Sequence, residues 1–224
     1  MRLLIPNLGF EIALCENWAY MIIMEDQRAF SGAVFDIWNQ ASGEIGECRI
    51  FENEHLLKFT DECVCIFNPF DIKMNEKKLV TRLYKELKWV SFNELQGETT
   101  ALYSNIYSYL DQIVAHSPYD VAYDLNEDPT ILFKMFNFHF NQISDNFLEA
   151  LIDYIRVCHR ISDIKAVLFV NLKSYFTDED LLQLYEFLFY EKVICIDLES
   201  HQENMLSCEK GWIIDKDCCI IDLN

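Results

Sequence analysis

Two stretches of this chain carry residue types that could do chemistry. The first is PYDVAYDLNEDP (118–129), where Asp120, Asp124, Glu127 and Asp128 fall within nine residues, with Asn126 among them. Hard oxygen donors on an irregular segment suit calcium, which accepts six to eight oxygens in loose geometry. The spacing is not that of an EF-hand loop. From spacing alone the preferred reading of these acids is a solvated loop that caps the next helix. The second stretch is basic: Lys73, Lys77, Lys78, Arg82, Lys85 and Lys88 supply a third of the 18 Lys and Arg residues within 16 positions. Lys78, Arg82 and Lys85, spaced four and three apart, share one helical stripe. Arg156 and Arg160 stand one turn apart later in the chain. Such stripes can track phosphates, or can be solvated faces paired with Glu76 and Glu86.

Other chemistries lack their residues. A phosphate loop needs G-x-x-x-x-G-K-[ST], whose backbone N–H groups and lysine surround the anion. None of the six glycines begins that pattern, and G-x-G-x-x-G is absent. Asp197 and Glu199 follow an apolar run, as a magnesium-holding pair would in an ATPase. Without a phosphate loop they read as two acids at the solvated end of a strand. No H-E-x-x-H or G-x-S-x-G occurs, so no catalytic residue is assigned and the chain reads as a binding protein, not an enzyme. Cys63-x-Cys65 and Cys218-Cys219 have the wrong spacing for zinc and read as core residues. The five histidines are scattered, and His139 in FNFHFN is expected among aromatics.

The elements that position these residues come in three blocks. In the first 70 residues FEIALC and YMIIME are strand-like, Asp26–Asn39 has helical spacing, and ECVCIF (62–67) reads as a buried strand. The middle is helical: Asn75 to about Val90 with Asn75 as N-cap, Thr99–His116, Thr130–Phe138, and Ser144–Arg160. The last block returns to strands. KAVLFVNL (165–172) and KVICIDL (192–198) flank a helix opened by a Thr177–Asp180 capping box, so the two strands are expected to be parallel. WIIDKDCCIIDL (212–223) reads as two short strands about a turn. The fold class is therefore α/β: a head of residues 1–72 and 161–224, with a helical arm of 73–160 inserted.

Bulk composition narrows the function. In 224 residues, 51% hydrophobic and 14% aromatic, there is enough apolar surface for a sizeable core. No run of about 18 apolar residues suggests a membrane span, and the start of the sequence lacks a signal-peptide pattern. Nine cysteines, mostly inside apolar runs, read as reduced thiols of a cytoplasmic protein. The net charge of −19 opposes nucleic-acid binding unless the positive groups are segregated or metal offsets the acids.

The order of these segments resembles the small fourth protein of type II-A CRISPR adaptation modules. The likeness runs through FEIALCENWAYMIIMEDQRAFS, CVCIFNPFDI before the basic helix, YDVAYDLNEDPTILFKMF, KAVLFVNLKSYFTDEDLLQLYEFL, VICIDLES and WIIDKDCCII. It implies a head like a P-loop ATPase core without its phosphate loop, and an α-helical leg. It implies a homotetrameric ring, calcium near the junction of head and leg, and double-stranded DNA ends threaded through a basic channel. Asp120, Asp124, Glu127 and Asp128 would hold the calcium. Arg28, Lys78, Arg82, Lys85, Lys134, Arg156 and Arg160 would contact phosphates. Partners would be the integrase and effector nuclease of the adaptation module. The rival readings are a scaffold that contacts those proteins without touching DNA, and a degenerate NTPase.

Overall fold

A computed structural model describes residues 1–141 and 146–223. The chain forms two compact units, Met1–Lys73 with Gln142–Asn224, and Met74–Asn141.

The first unit is built on continuous apolar segments. Strand β3 (Ala19–Met24, AYMIIM) and strand β8 (Ile194–Glu199, ICIDLE) are buried at every position. Strands buried on both faces need no polar alternation, as is usual for parallel sheets. Accordingly β3 pairs in parallel with β8 and with β9 (Glu209–Ile214). Beyond β8 come β7 (Ala166–Val170) and β6 (Cys63–Ile66), both parallel. Strand β10 (Ile220–Asp222) is the antiparallel edge beside β9. The six-stranded order is β10-β9-β3-β8-β7-β6. The expected parallel pairing of the two late strands is present, as is the terminal hairpin.

One face of this sheet offers Tyr20, Ile22, Met24, Ala166, Leu168, Ile194, Ile196 and Leu198 to a shared core. An antiparallel sheet covers it, with order β2-β1-β4-β5. Its strands are β1 (Arg2–Ile5), β2 (Phe10–Ala13), β4 (Arg49–Glu52) and β5 (His55–Leu56). Helix α1 (Gln27–Ala41) adds Ala33 and Ile37 to the same core. On the other face Met21, Ile23 and Ile213 cluster. Helix α6 (Asp178–Tyr190) buries Leu181, Leu184, Tyr185 and Leu188, and is opened by the expected Thr177–Asp180 capping box.

The second unit holds α2 (Lys77–Asn93), α3 (Gln96–His116) and α4 (Thr130–Met135). Asn75 is not the cap of α2. Glu76 occupies that position, and the Asn75 amide instead exchanges hydrogen bonds with the backbone of Phe140, at 2.8 and 3.0 Å. Helix α4 ends earlier than expected, because Asn137 turns into the left-handed region at φ 49°. The start expected at Ser144 lies outside the described residues. The described helix, α5 (Phe147–Ser162), is capped by Asn146. It groups with the first unit, whereas the sequence reading places the arm's end at residue 160. Its buried stripe of Leu148, Leu151, Ile155 and Cys158 accounts for this, since a face that apolar is stable only against a core.

The cysteines divide. Cys48 and Cys63 are buried, and burial pushes both thiols up to about 12, so they stay protonated. Cys218 and Cys219, expected in the core, are exposed at the β9–β10 turn. There Cys218 adopts φ 59° and Asp215 accepts the Cys219 N–H. His139, expected among aromatics, is exposed and sits on the Asn137 carbonyl. No described helix is long and apolar enough to cross a membrane.

Candidate nucleic-acid interface

Helix α2 buries Leu79 fully and half-buries Val80, Leu83, Tyr84 and Leu87, leaving another face outward. The outward positions hold Lys77, Lys78 and Lys85, all exposed, with Arg82 half-buried on the same stripe as Lys78 and Lys85. Lys88 pairs with Asp128, at 3.2 Å. Lys134 is exposed on α4. That helix packs beside α2 through the Tyr84 and Phe133 rings, 5.8 Å apart, and the Tyr84 hydroxyl donates to the Phe138 carbonyl at 3.2 Å. Lys78, Arg82, Lys85 and Lys134 are therefore brought to neighbouring helices of one unit.

The remaining basic candidates belong to the other unit. Arg28 is exposed in the first turn of α1, and Arg160 is exposed near the end of α5. Arg156 is occupied: it pairs with Asp153 and lies over the Phe187 ring, 5.1 Å from its centroid. A guanidinium held in this way glues α5 to α6 and is poorly placed to seek phosphate.

The acidic segment is open. Asp120, Asp124 and Glu127 are exposed. Asp128 is committed: it accepts the Thr130 N–H at 3.0 Å and pairs with Lys88. The Thr130 amide foremost, with Lys88, holds its carboxyl below the usual carboxylate range. Among the described residues, no three His, Cys, Asp or Glu are gathered as a metal would require. The donor set is still the hard-oxygen type that calcium accepts.

Asp197 and Glu199 depart most from expectation. They are not at a solvated strand end: each is only 2% exposed, and Glu209 on β9 only 5%. The sequence signal was available. ICIDLE continues an apolar run with no turn residue after Asp197, so the strand goes on through the acids. Burial, and then the neighbouring Glu199 charge, raise the Asp197 carboxyl well above its ordinary value. Burial foremost raises Glu199.

The α1 N-terminus after β3 is where an α/β fold would offer backbone N–H groups to a phosphate. Here Asp26 fills it, its Oδ1 accepting from Arg28 N (3.0 Å) and Ala29 N (2.8 Å). An incoming phosphate would meet a carboxylate already holding those donors.

A parallel α/β core and a helical unit with one basic helix define an α/β protein with a candidate surface for an anionic partner. Comparison with known proteins makes this specific. Residues 40–218 match the model of the Cas_Csn2 family, CRISPR-associated protein, and the chain belongs to that family. A curated relative, CRISPR-associated protein Csn2 of Enterococcus faecalis, is 22% identical over 184 residues, covering 81% of this chain and 82% of the relative. Among solved structures, an ATP-bound bacterial Atm1-family ABC exporter aligns with 92% of this chain and 33% of its own, at 7% identity and TM-score 0.41. A nucleotide-free ATP-binding cassette from an ABC transporter aligns with 92% and 79%, at 11% identity and TM-score 0.41. This chain spans about a third of the exporter's length.

Proposed function

We propose that this protein binds free ends of double-stranded DNA through sequence-independent phosphate contacts during spacer acquisition, the adaptation step of type II-A CRISPR immunity. It does so without catalysis, in the cytoplasm, as a homotetrameric ring working beside the integrase and effector nuclease. The observation that carries the reading is the outward basic face of α2 in a chain of net charge −19. Positive groups so concentrated contact phosphates only if copies are arranged with that face toward the duplex and the acids away from it. Assembly is supported by α2 and α3. They bury one residue each, Leu79 and Tyr103, yet expose Trp89, Phe92, Leu102, Tyr109 and Ile113. Apolar surface on that scale marks an interaction site. The Asp26-capped turn and the absent phosphate loop speak against nucleotide turnover.

The test compares linear duplex with covalently closed circles of the same sequence in a gel-shift assay. A ring threaded from an end binds the linear form and leaves the circle free. Equal binding to both refutes threading, and binding to neither at low salt leaves a scaffold that touches only proteins.

Calcium belongs to the reading as a ligand of the 118–129 segment. Asp120, Asp124 and Glu127 would hold it, with Asp128 released from Lys88. The ion would supply neutralisation of clustered negative charge. Millimolar calcium is expected to raise the melting temperature, and Asp124→Asn to abolish the rise. A wild-type melting temperature unmoved by calcium removes the metal from the account.

A further inference from the structure

The buried acids have a charge balance that does not close. Three carboxyl groups, Asp197, Glu199 and Glu209, share one ammonium, that of Lys173. Lys173 Nζ lies 2.7 Å from Glu209 Oε2. The Tyr185 hydroxyl donates to Glu209 Oε1 at 2.8 Å, and the Leu206 N–H to Oε2 at 2.7 Å. Glu209 is thereby satisfied, and Lys173 is spent on it.

Asp197 and Glu199 are left with backbone donors alone. The Leu172 N–H reaches Asp197 Oδ1 at 3.3 Å, and the Lys173 N–H reaches Glu199 Oε1 at 2.9 Å. Asp197 Oδ2 has no donor from any described group. Two residues apart on one strand, the two side chains leave the sheet on the same face. Beyond burial, the Glu199 charge pushes the Asp197 carboxyl up, so the two groups act on each other's protonation. Among the described residues the pair has no cation beyond Lys173, whose charge reaches Glu199. Strand β8 itself contributes Cys195, α6 the Tyr185 hydroxyl, β9 Glu209, and the 200–206 connection Glu203, while β3 presents Met21 and Ile23. Two ionised carboxylates side by side in such a place are not tolerated, and two carboxyl groups can hydrogen-bond to each other only through a proton.

We propose that Asp197 and Glu199 bind one proton between them, carried on Asp197 Oδ2 and donated to the Glu199 carboxylate, which makes the stability of the head sensitive to pH. The sign follows from where the proton is held more tightly. In the folded chain the carboxyl gives up its proton at higher pH than in the unfolded chain. The stabilisation is complete in acid and is lost as pH rises through the folded-state value. No other aspartate is buried among the described residues, so the signal is assignable.

Asp197→Asn places a permanent N–H donor where the O–H would be. Melting temperatures of the variant and the wild-type chain, taken from pH 5 to 9, are expected to diverge by several degrees in the variant's favour as pH rises, then to run parallel. A difference that stays constant with pH overturns the proposal. Since an amide can also pack badly, a second measurement uses the wild-type chain alone. Its infrared spectrum near neutral pH should show a protonated-carboxyl band that shifts when aspartate is labelled with 13C. Absence of a label-sensitive band overturns the shared proton whatever the variant does.

Discussion

Replacing Lys173 by Met is expected to remove about 3 to 5 kcal/mol of folding stability, the cost of leaving one member of a buried ion pair without its partner. The Lys173 and Glu209 side chains are 5% and 1% exposed, so solvent does not screen them. The ammonium also donates to the Asn204 carbonyl, so the substitution frees the 200–206 connection as well. Methionine preserves the stem's bulk while Glu209 keeps its charge, held only by the Tyr185 hydroxyl and the Leu206 N–H. Against a total of about 5 to 15 kcal/mol, that loss puts the head near its unfolding limit. Urea denaturation measures it. Adding Glu209→Gln to Lys173→Met should recover part of the loss, because the unpaired charge goes with it. A cost of about 1 kcal/mol or less for Lys173→Met, the range of an exposed pair, would mean that water reaches the cluster.

Reversing the charge on α2, with Lys78→Glu, Arg82→Glu and Lys85→Glu together, should weaken binding to linear duplex roughly 100-fold or more at low salt. It should also flatten the dependence of log affinity on log salt by about one for each phosphate no longer neutralised. Fluorescence anisotropy over a salt series gives both quantities. The fold should persist, since Lys78 and Lys85 are exposed, Arg82 is half-buried, and Leu79 is the fully buried residue of that helix. Reversing Lys192 and Lys216, on the first unit, serves as the control and should leave affinity nearly unchanged. If the triple variant binds like the wild type with the same salt slope, α2 is not the DNA-facing helix.

The parallel core was legible in the sequence wherever one physical pattern dominated. AYMIIM and AVLFV are unbroken apolar runs and ICIDL is interrupted only by Asp197, the pattern of a strand buried on both faces. The Thr177–Asp180 box was equally readable, because both of its hydrogen bonds are local. Elements whose reasons lie far away in sequence were missed. Asn75 has the chemistry of a cap, yet Phe140 competes for its amide, and that pairing is invisible from the local sequence. The antiparallel sheet beside α1 rests on short strands such as His55–Leu56, too brief for any periodicity to register. The acidic pair was misplaced for a different reason. Charge was read as solvent exposure, and the rule fails where strand continuation forces an acid inside. Of the basic candidates, the α2 stripe follows from helical spacing alone. The occupation of Arg156 by Asp153 and Phe187 depends on how α5 meets α6, which no spacing encodes.

The central position of β3 has a consequence for how the chain is made. Ala19 lies opposite Glu209 in the sheet, and Tyr20 opposite both Ile196 and Lys210. A ribosome has therefore delivered most of the polypeptide before the strand at the middle of the sheet finds either neighbour. The α2–α3 hairpin, whose contacts are local, has no such wait. During translation AYMIIM must stay unpaired for the whole interval, an apolar segment with free edges on both sides. Nascent chains stalled before β8 should accordingly be the species that chaperones hold and proteases clear.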